Sequence, residues 1–260
     1  MRTWLVRPGL IWMGLSAVLL GAGALPSPWA SWEADPCRAV NCVCERLGAG
    51  AVAQPVAAYS NLGFVLVGLL VGAAPDPAGT RWYRRVFGAA ALAAGLGSWF
   101  YHASLTRAGE WFDILGLYAL TGALLWANLA RLRRRPGGPR WLAGYLVSLA
   151  GLGGQMAVAR ELQLVIFAAL IAATLVTEAV LWLRGDRPRH ALFLAAGLAS
   201  FGSGAAAWLW EARLPCDPAG LWQWHAVWHA LAALAIALLF VYFDGNLPGA
   251  YFKKPGSLTA

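Results

Sequence analysis

The sequence predicts an all-α membrane protein: a seven-transmembrane helix bundle preceded by an extra N-terminal hydrophobic helix. Three observations predict it. Of 260 residues, 60% are hydrophobic and only 12% charged, against about 45–50% apolar and about 25% charged in soluble chains. That leaves too few charges to cover a water-soluble core. Apolar runs recur along the whole chain, most of them near the roughly 20 residues that a bilayer span needs. None of the runs alternates polar and apolar with period two, which argues against a barrel and leaves helices, whose backbones satisfy themselves in lipid. The same composition excludes a cytosolic enzyme, a disordered tail and a small disulfide scaffold.

The runs fall at about 9–25, 51–73, 86–102, 111–130, 141–159, 162–183, 190–210 and 222–243. The first differs from the rest. Arg2 and Arg7 precede it, and Ala22, Gly23 and Ala24 close it before Leu25-Pro26-Ser27-Pro28. This is the pattern of a signal peptide or an uncleaved signal anchor, and either exports the loop that follows. The organisation read from this is an N-terminal hydrophobic helix over 1–30, a cysteine-containing non-cytoplasmic loop over 31–50, a seven-helix domain over 51–243 and a cytoplasmic tail over 244–260. No repeat of solenoid period is present. The turns Ala74-Pro75-Asp76-Pro77 and Pro136-Gly137-Gly138-Pro139 are short inner connections, not domain linkers.

Charge tests the orientation. With the N-terminus inside, the cytoplasmic positions hold Arg2, Arg7, Arg81, Arg84, Arg85, Arg131, Arg133, Arg134, Arg135, Arg140, Arg184, Arg187, Arg189, Lys253 and Lys254. These are 15 of the 20 basic residues, leaving Arg38, Arg46, Arg107, Arg160 and Arg213 outside. That split follows the positive-inside rule. It also accounts for the net charge of +8 without a nucleic-acid partner. Cys37, Cys42, Cys44 and Cys216 all fall in outer loops, where disulfides form. A bridge from Cys44 to Cys216 would tie two loops over the bundle, but four cysteines allow three pairings.

Polar side chains inside spans are expensive and point to function. His102 ends the third run, and His225 and His229 open the last. The i,i+4 pair shares one helix face, a spacing that lets two imidazoles hold one ion such as zinc. The topology puts His102 at the same outer depth. Three ligands leave a fourth position open, the form of a catalytic zinc site. The competing reading is three interfacial histidines, each capping a helix end or bonding a loop carbonyl. Ser98 lies one turn before His102 on the same face. Asp113 opens the fourth run, eleven residues after His102. A carboxylate there can hold and deprotonate a water, and a serine hydroxyl can donate to an oxyanion. A Ser-His-Asp hydrolase triad is the other arrangement of these types, but it leaves His225 and His229 unused. Glu178 reads as a bond to a neighbouring helix or a proton route. Glu211 and Arg213 read either as pairing with each other or with a loop, or as a solvated rim, the favoured account. The tryptophans, Trp228 among them, read as an interfacial belt rather than a ligand cage, and His190 lies on the wrong side for the metal.

Cys44-Glu45, Ala53-Gln54, Ser60-Asn61, Gly97-Ser98-Trp99-x-x-His102, Asp113 and His225-x-x-x-His229 together resemble the alkaline ceramidases, seven-helix membrane hydrolases related to the adiponectin receptors. The resemblance covers about residues 42–243. It implies a zinc ion on His102, His225 and His229, with Asp113 activating water and Ser98 helping the oxyanion. It also implies a Cys44–Cys216 disulfide and hydrolysis of the amide of ceramide or a related N-acyl lipid to a fatty acid and an amine base. Eukaryotic members carry calcium around an Asp-Trp-Cys-Glu-x-Asn run and a later glutamate. Here those positions are Cys42, Val43, Cys44, Glu45, Arg46 and Leu47, and the later one is Gln54. Calcium favours six to eight oxygens, so no calcium requirement is expected. The Ala- and Arg-rich composition points to a high-GC bacterium and its inner membrane, with the site toward the non-cytoplasmic side. The expected partners are the N-acyl lipid and the surrounding membrane lipids. The alternative is a seven-helix binding or signalling protein with a structural metal.

Overall fold

The computed structural model describes residues 5–75, 81–134, 138–186 and 190–247. Arg2, Asp76, Pro77, Arg135, Pro136, Gly137, Arg187, Arg189, Lys253 and Lys254, all used in the sequence reading, lie outside these residues, as does the side chain of Arg81. The described residues form ten helices and no sheet. In chain order these are α1 (Val6–Ala22), α2 (Cys37–Val40), α3 (Pro55–Ser60), α4 (Leu62–Ala73), α5 (Arg81–Ser104), α6 (Arg107–Leu132), α7 (Pro139–Val158), α8 (Gln163–Leu183), α9 (Ala191–Trp210) and α10 (Trp224–Asn246). The predicted boundaries shift by a few residues, and the run at 51–73 is broken at Asn61 into α3 and α4. Six units are long and apolar enough to cross a membrane: Pro55–Ala73, α6, α7, Arg160–Leu183, Ala191–Arg213 and α10. The chain is a multi-pass membrane protein. The seventh long helix, α5, has 24 residues, but Arg81, Arg84 and Arg85 in its first turns lower its hydropathy. The first helix, α1, is apolar and shorter.

Helix α5 lies at the centre, packed on α6 and α4, while α10 packs on α9, α4 and α3. Alanines 90, 91 and 94 of α5 meet alanines 119, 123 and 127 of α6 in the core. Small residues let membrane helices approach closely. Two glycines set that approach. A Cβ on Gly116 would lie 2.5 Å from Ala94 Cα, and one on Gly97 would lie 2.5 Å from Phe112 O. The Gly97 contact brings Ser98 of α5 and Asp113 of α6 to the same level. Thr106 starts α6, its Oγ1 accepting from Gly109 N at 3.1 Å, which satisfies one orphan amide of the first turn. Helix α1 packs along α4. Trp12 Nε1 donates to Leu62 O at 2.9 Å, and Tyr59 OH donates to Leu19 O at 3.3 Å.

The opposite end of the bundle holds a buried charge network. Arg131 is 4% exposed in the last turn of α6. It donates to Glu178 at 2.7 Å, to Asp186 at 3.2 Å and to Asn128 Oδ1 at 3.1 Å. Glu178 also accepts from Trp182 Nε1 at 3.1 Å and from Tyr242 OH. Of its two sequence readings, the bond to neighbouring helices is the one observed. A guanidinium at a helix end is affordable here because carboxylates from α8 and the segment after it meet it.

Candidate active site

At the other end, the C-terminal end of α5 meets the N-terminal turns of α10. His102 is two residues short of the end of α5, and His225 and His229 occupy the first two turns of α10. Ring centroids lie 4.9 Å apart for His102–His225, 5.0 Å for His102–His229 and 4.6 Å for His225–His229. One ligand nitrogen from each falls within 4.8 Å of the others, so the group could hold a metal ion. The three rings border a cavity of about 260 Å³ whose lining also includes Ser98, Asp113, Gln54, Asn61 and Tyr101. All five residues singled out in the sequence therefore face one space.

The segment 41–61 builds the surroundings of the histidines. Gln54 N donates to His102 O at 3.0 Å, and the Gln54 side-chain amide meets His102 Nδ1 at 2.7 Å. Gln54 thus grips His102 at two points, and both residues are almost fully buried. His229 Nδ1 lies 3.1 Å from Ala57 O and 2.8 Å from Ser60 Oγ. Ser60 Oγ itself donates to Ala57 O at 2.7 Å, so its lone pairs are open to the imidazole N–H. His225 Nδ1 faces Glu211 Oε2 at 3.6 Å. Each Nδ1 thus has a carbonyl, hydroxyl or carboxylate oxygen nearby, although His229 Nδ1 also lies 3.2 Å from Asn61 Nδ2 and His225 Nδ1 makes no hydrogen bond. Ligating histidines characteristically donate their second N–H to such partners, so the donor set suits a metal.

For Glu211 the contact with a loop, not the favoured solvated rim, is the reading observed. Glu211 is 7% exposed, and its Oε1 accepts from Cys44 N at 3.1 Å. Cys44 is bonded to Cys216, and Cys37 to Cys42. The first bridge is the one implied by the resemblance, and the second was open. Glu45 accepts from Val56 N at 2.6 Å and from Ala57 N at 2.9 Å, completing the first turn of α3 from outside the helix. Burial pushes the Glu45 carboxyl above its ordinary range, and the two amides oppose that rise. Trp228 departs from the belt reading: it is buried, stacks on Trp208 with centroids 5.8 Å apart and lines the cavity. His190 starts α9 at the far end, beside Gly245, and takes no part.

Gln54, Ser60, the Ala57 carbonyl and Glu211 were not assigned site roles from the sequence. Gln54 and Ser60 stood within the resembling motif without an assigned task. A backbone carbonyl leaves no trace in a sequence. Glu211 carried a weak signal, a lone carboxylate next to an apolar run.

The features above define a class, the multi-pass membrane proteins with a candidate metal centre beneath one face. A family model described as Ceramidase matches residues 48–246, and the chain belongs to that family. The match takes in α3 to α10 with all three histidines and leaves α1 outside. Membership implies a hydrolase acting on the amide bond of a lipid. None of the curated proteins compared with the chain matches it.

Proposed function

We propose that the protein is a zinc-dependent amidase that works within the membrane and splits ceramide or a related N-acyl lipid into a fatty acid and an amine base. The observation that carries this reading is the convergence of His102, His225 and His229 with Asp113 and Ser98 on one cavity. Three imidazoles with a fourth position open are the ligand set of a catalytic zinc. When bound, the ion supplies Lewis acidity to a carbonyl oxygen and acidifies water. Asp113 takes the proton of the attacking water and returns it to the nitrogen of the departing amine. The Ser98 hydroxyl donates a hydrogen bond to the carbonyl oxygen as negative charge develops there.

Phe64, Ile114, Leu117, Phe167 and Trp228 give the cavity apolar walls. Its volume of about 260 Å³ lies just under the roughly 300–1,000 Å³ of drug-sized ligand pockets. The cavity therefore takes the scissile amide and the first carbons of the chain, and the rest of the acyl tail lies in bilayer. No calcium requirement belongs to the same reading. Val43, Arg46 and Leu47 bring no side-chain carboxylate, Gln54 is turned to His102, and both Glu45 oxygens are taken by backbone amides.

The site faces the non-cytoplasmic side of a bacterial inner membrane in this reading. Both disulfides sit at the histidine end, while Arg131, Arg133 and Arg134 follow at the other end of α6, which agrees with oxidising and positive-inside compartments respectively. Residues 1–30 act as a retained anchor, supported by the Trp12 and Tyr59 hydrogen bonds. Residues 31–50 form the outer loop, 51–243 the catalytic domain and 244–260 the cytoplasmic tail. The test is His225→Ala in purified protein, with zinc measured by elemental analysis and lipid products by mass spectrometry. Zinc and amide hydrolysis are lost together. Full hydrolysis by a metal-free His225→Ala protein overturns the mechanism, and unchanged function in Asp113→Ala points to a purely structural metal.

A further inference from the structure

We propose that Asn41 is a positioning residue for His102: acting through Gln54, it fixes which ring nitrogen of His102 carries the proton and which is left for the metal. The inference rests on the reading of His102 as a ligand and assigns a task to a loop residue that touches neither metal nor substrate.

A backbone carbonyl, whose role is not open to choice, anchors the hydrogen-bond chain. Asn41 Nδ2 donates to Glu45 O at 3.0 Å. A carbonyl only accepts, so this contact sets the Asn41 amide with its nitrogen toward Glu45 and its oxygen away. That oxygen meets Gln54 at 3.3 Å, so Gln54 must present its NH2 group there. The Gln54 carbonyl then points the other way, to His102 Nδ1 at 2.7 Å. An amide oxygen cannot donate, so Nδ1 carries the proton and Nε2 keeps its lone pair. Three hydrogen bonds transmit one unambiguous direction from a loop backbone to a buried imidazole. Without Asn41 the Gln54 amide loses the partner that sets its sense. In the reversed sense its NH2 group would donate to Nδ1, and Nε2 would then hold the proton in place of a lone pair.

The loop is built to hold Asn41 still. Asn41 ends α2 in the left-handed region, at φ 48°, which asparagine tolerates better than most residues. Its N–H donates to Cys37 O at 2.9 Å, and the Cys37–Cys42 disulfide closes the ring around it. The other end of the ring is tied to α5 beside the ligand: Asp35 Oδ1 accepts from Cys37 N at 2.9 Å and from Tyr101 OH at 3.1 Å.

The test is zinc retention by the full-length protein in detergent, measured by competition with a chromophoric chelator, together with the thermal midpoint. Asn41→Gly keeps the left-handed backbone available and removes the amide. It retains zinc about 10-fold more weakly, within the roughly 10- to 100-fold range for outer partners of ligating histidines. Asn41→Asp keeps an acceptor toward Gln54 and stays within about threefold of wild type on the same scale. Nitrogen-15 spectra of the metal-free protein show His102 protonated on Nδ1 in wild type and in Asn41→Asp, and mixed in Asn41→Gly. Wild-type retention in Asn41→Gly overturns the proposal, as does a loss in Asn41→Asp equal to that in Asn41→Gly. A lowered midpoint with unchanged retention assigns Asn41 to loop stability alone and also overturns it. A wild-type protein that takes up no zinc removes the parent reading, and this inference with it.

Discussion

Glu211→Gln is the most informative single substitution outside the three histidines. The carboxylate sits 3.6 Å from His225 Nδ1, beyond hydrogen-bond length but close enough for strong electrostatic coupling. Two full charges at that separation and an effective dielectric near 20 attract by roughly 4–5 kcal/mol. That is an upper bound, because an imidazole bound to a cation carries only part of the charge. Outer partners of ligating histidines commonly contribute about 10- to 100-fold in affinity, which is about 1.4–2.8 kcal/mol. The long separation puts Glu211 at the lower end, so Glu211→Gln weakens zinc retention about 10-fold. The variant still offers an oxygen to Cys44 N–H, so its thermal midpoint stays close to that of wild type. Chelator competition reads the first quantity and a melting curve the second. Unchanged retention in a folded Glu211→Gln protein would refute the claim that this carboxylate acts on the metal site through His225.

Three further outcomes follow from the same geometry. Asp113→Asn retains zinc but lowers kcat by about 10²- to 10⁴-fold, the range for a general acid–base group, and a kcat near wild type removes Asp113 from the chemistry. Cys44→Ser with Cys216→Ser opens a loop of sequence separation 172. The chain-entropy ceiling for such a loop is about 5 kcal/mol, and spans that stay helical in lipid keep the real cost below it. The thermal midpoint falls and zinc retention falls with it, since Cys44 N–H holds Glu211, while an unaltered melting curve contradicts this. At the opposite end, Arg131→Ala strands Glu178 and costs about 3–5 kcal/mol, a fall of roughly 6–20 °C for a chain of this size. Arg131→Met with Glu178→Leu loses far less, and equal losses in the two variants argue against a buried-pair effect.

The helices and the histidine cluster were legible because each left a periodic or compositional trace. A run of apolar residues announces a span, and a histidine in such a run is costly enough to stand out. The i,i+4 spacing of His225 and His229 places them on one face by helix geometry alone. Their meeting with His102 followed from counting spans. The groups behind the histidines left no such trace. Gln54, the Ala57 carbonyl and Glu211 reach the rings from a loop, from a helix of six residues and from a 3₁₀ turn, none of which has a period to read. The burial of Arg131 was hidden for a related reason. The positive-inside rule reads an arginine near a helix end only for its side of the membrane, and it has no means of seeing a carboxylate on another helix that draws the side chain inward.

The division of labour between helices and loops explains why the histidine end carries two disulfides. The imidazoles and the acid–base pair ride on α5, α6 and α10, long helices fixed by packing against one another. The oxygens that orient the imidazoles come largely from segments 41–61 and 211–213, which contribute less to the main helical core. Loops are where local opening is least costly, and an outer partner that wanders releases the ring it should hold. Cys37–Cys42 closes the loop of Asn41, which holds Gln54, and Cys44–Cys216 ties the backbone that binds Glu211 to the strand of chain entering α10. The covalent links therefore stand one step behind the oxygens that face His102 and His225. His229 needs none, because the Ala57 carbonyl and Ser60 belong to α3, whose first turn is already closed by Glu45. The oxygen nearest each of the three Nδ1 atoms thus belongs to a group that is itself restrained, by a disulfide in two cases and by a helix in the third.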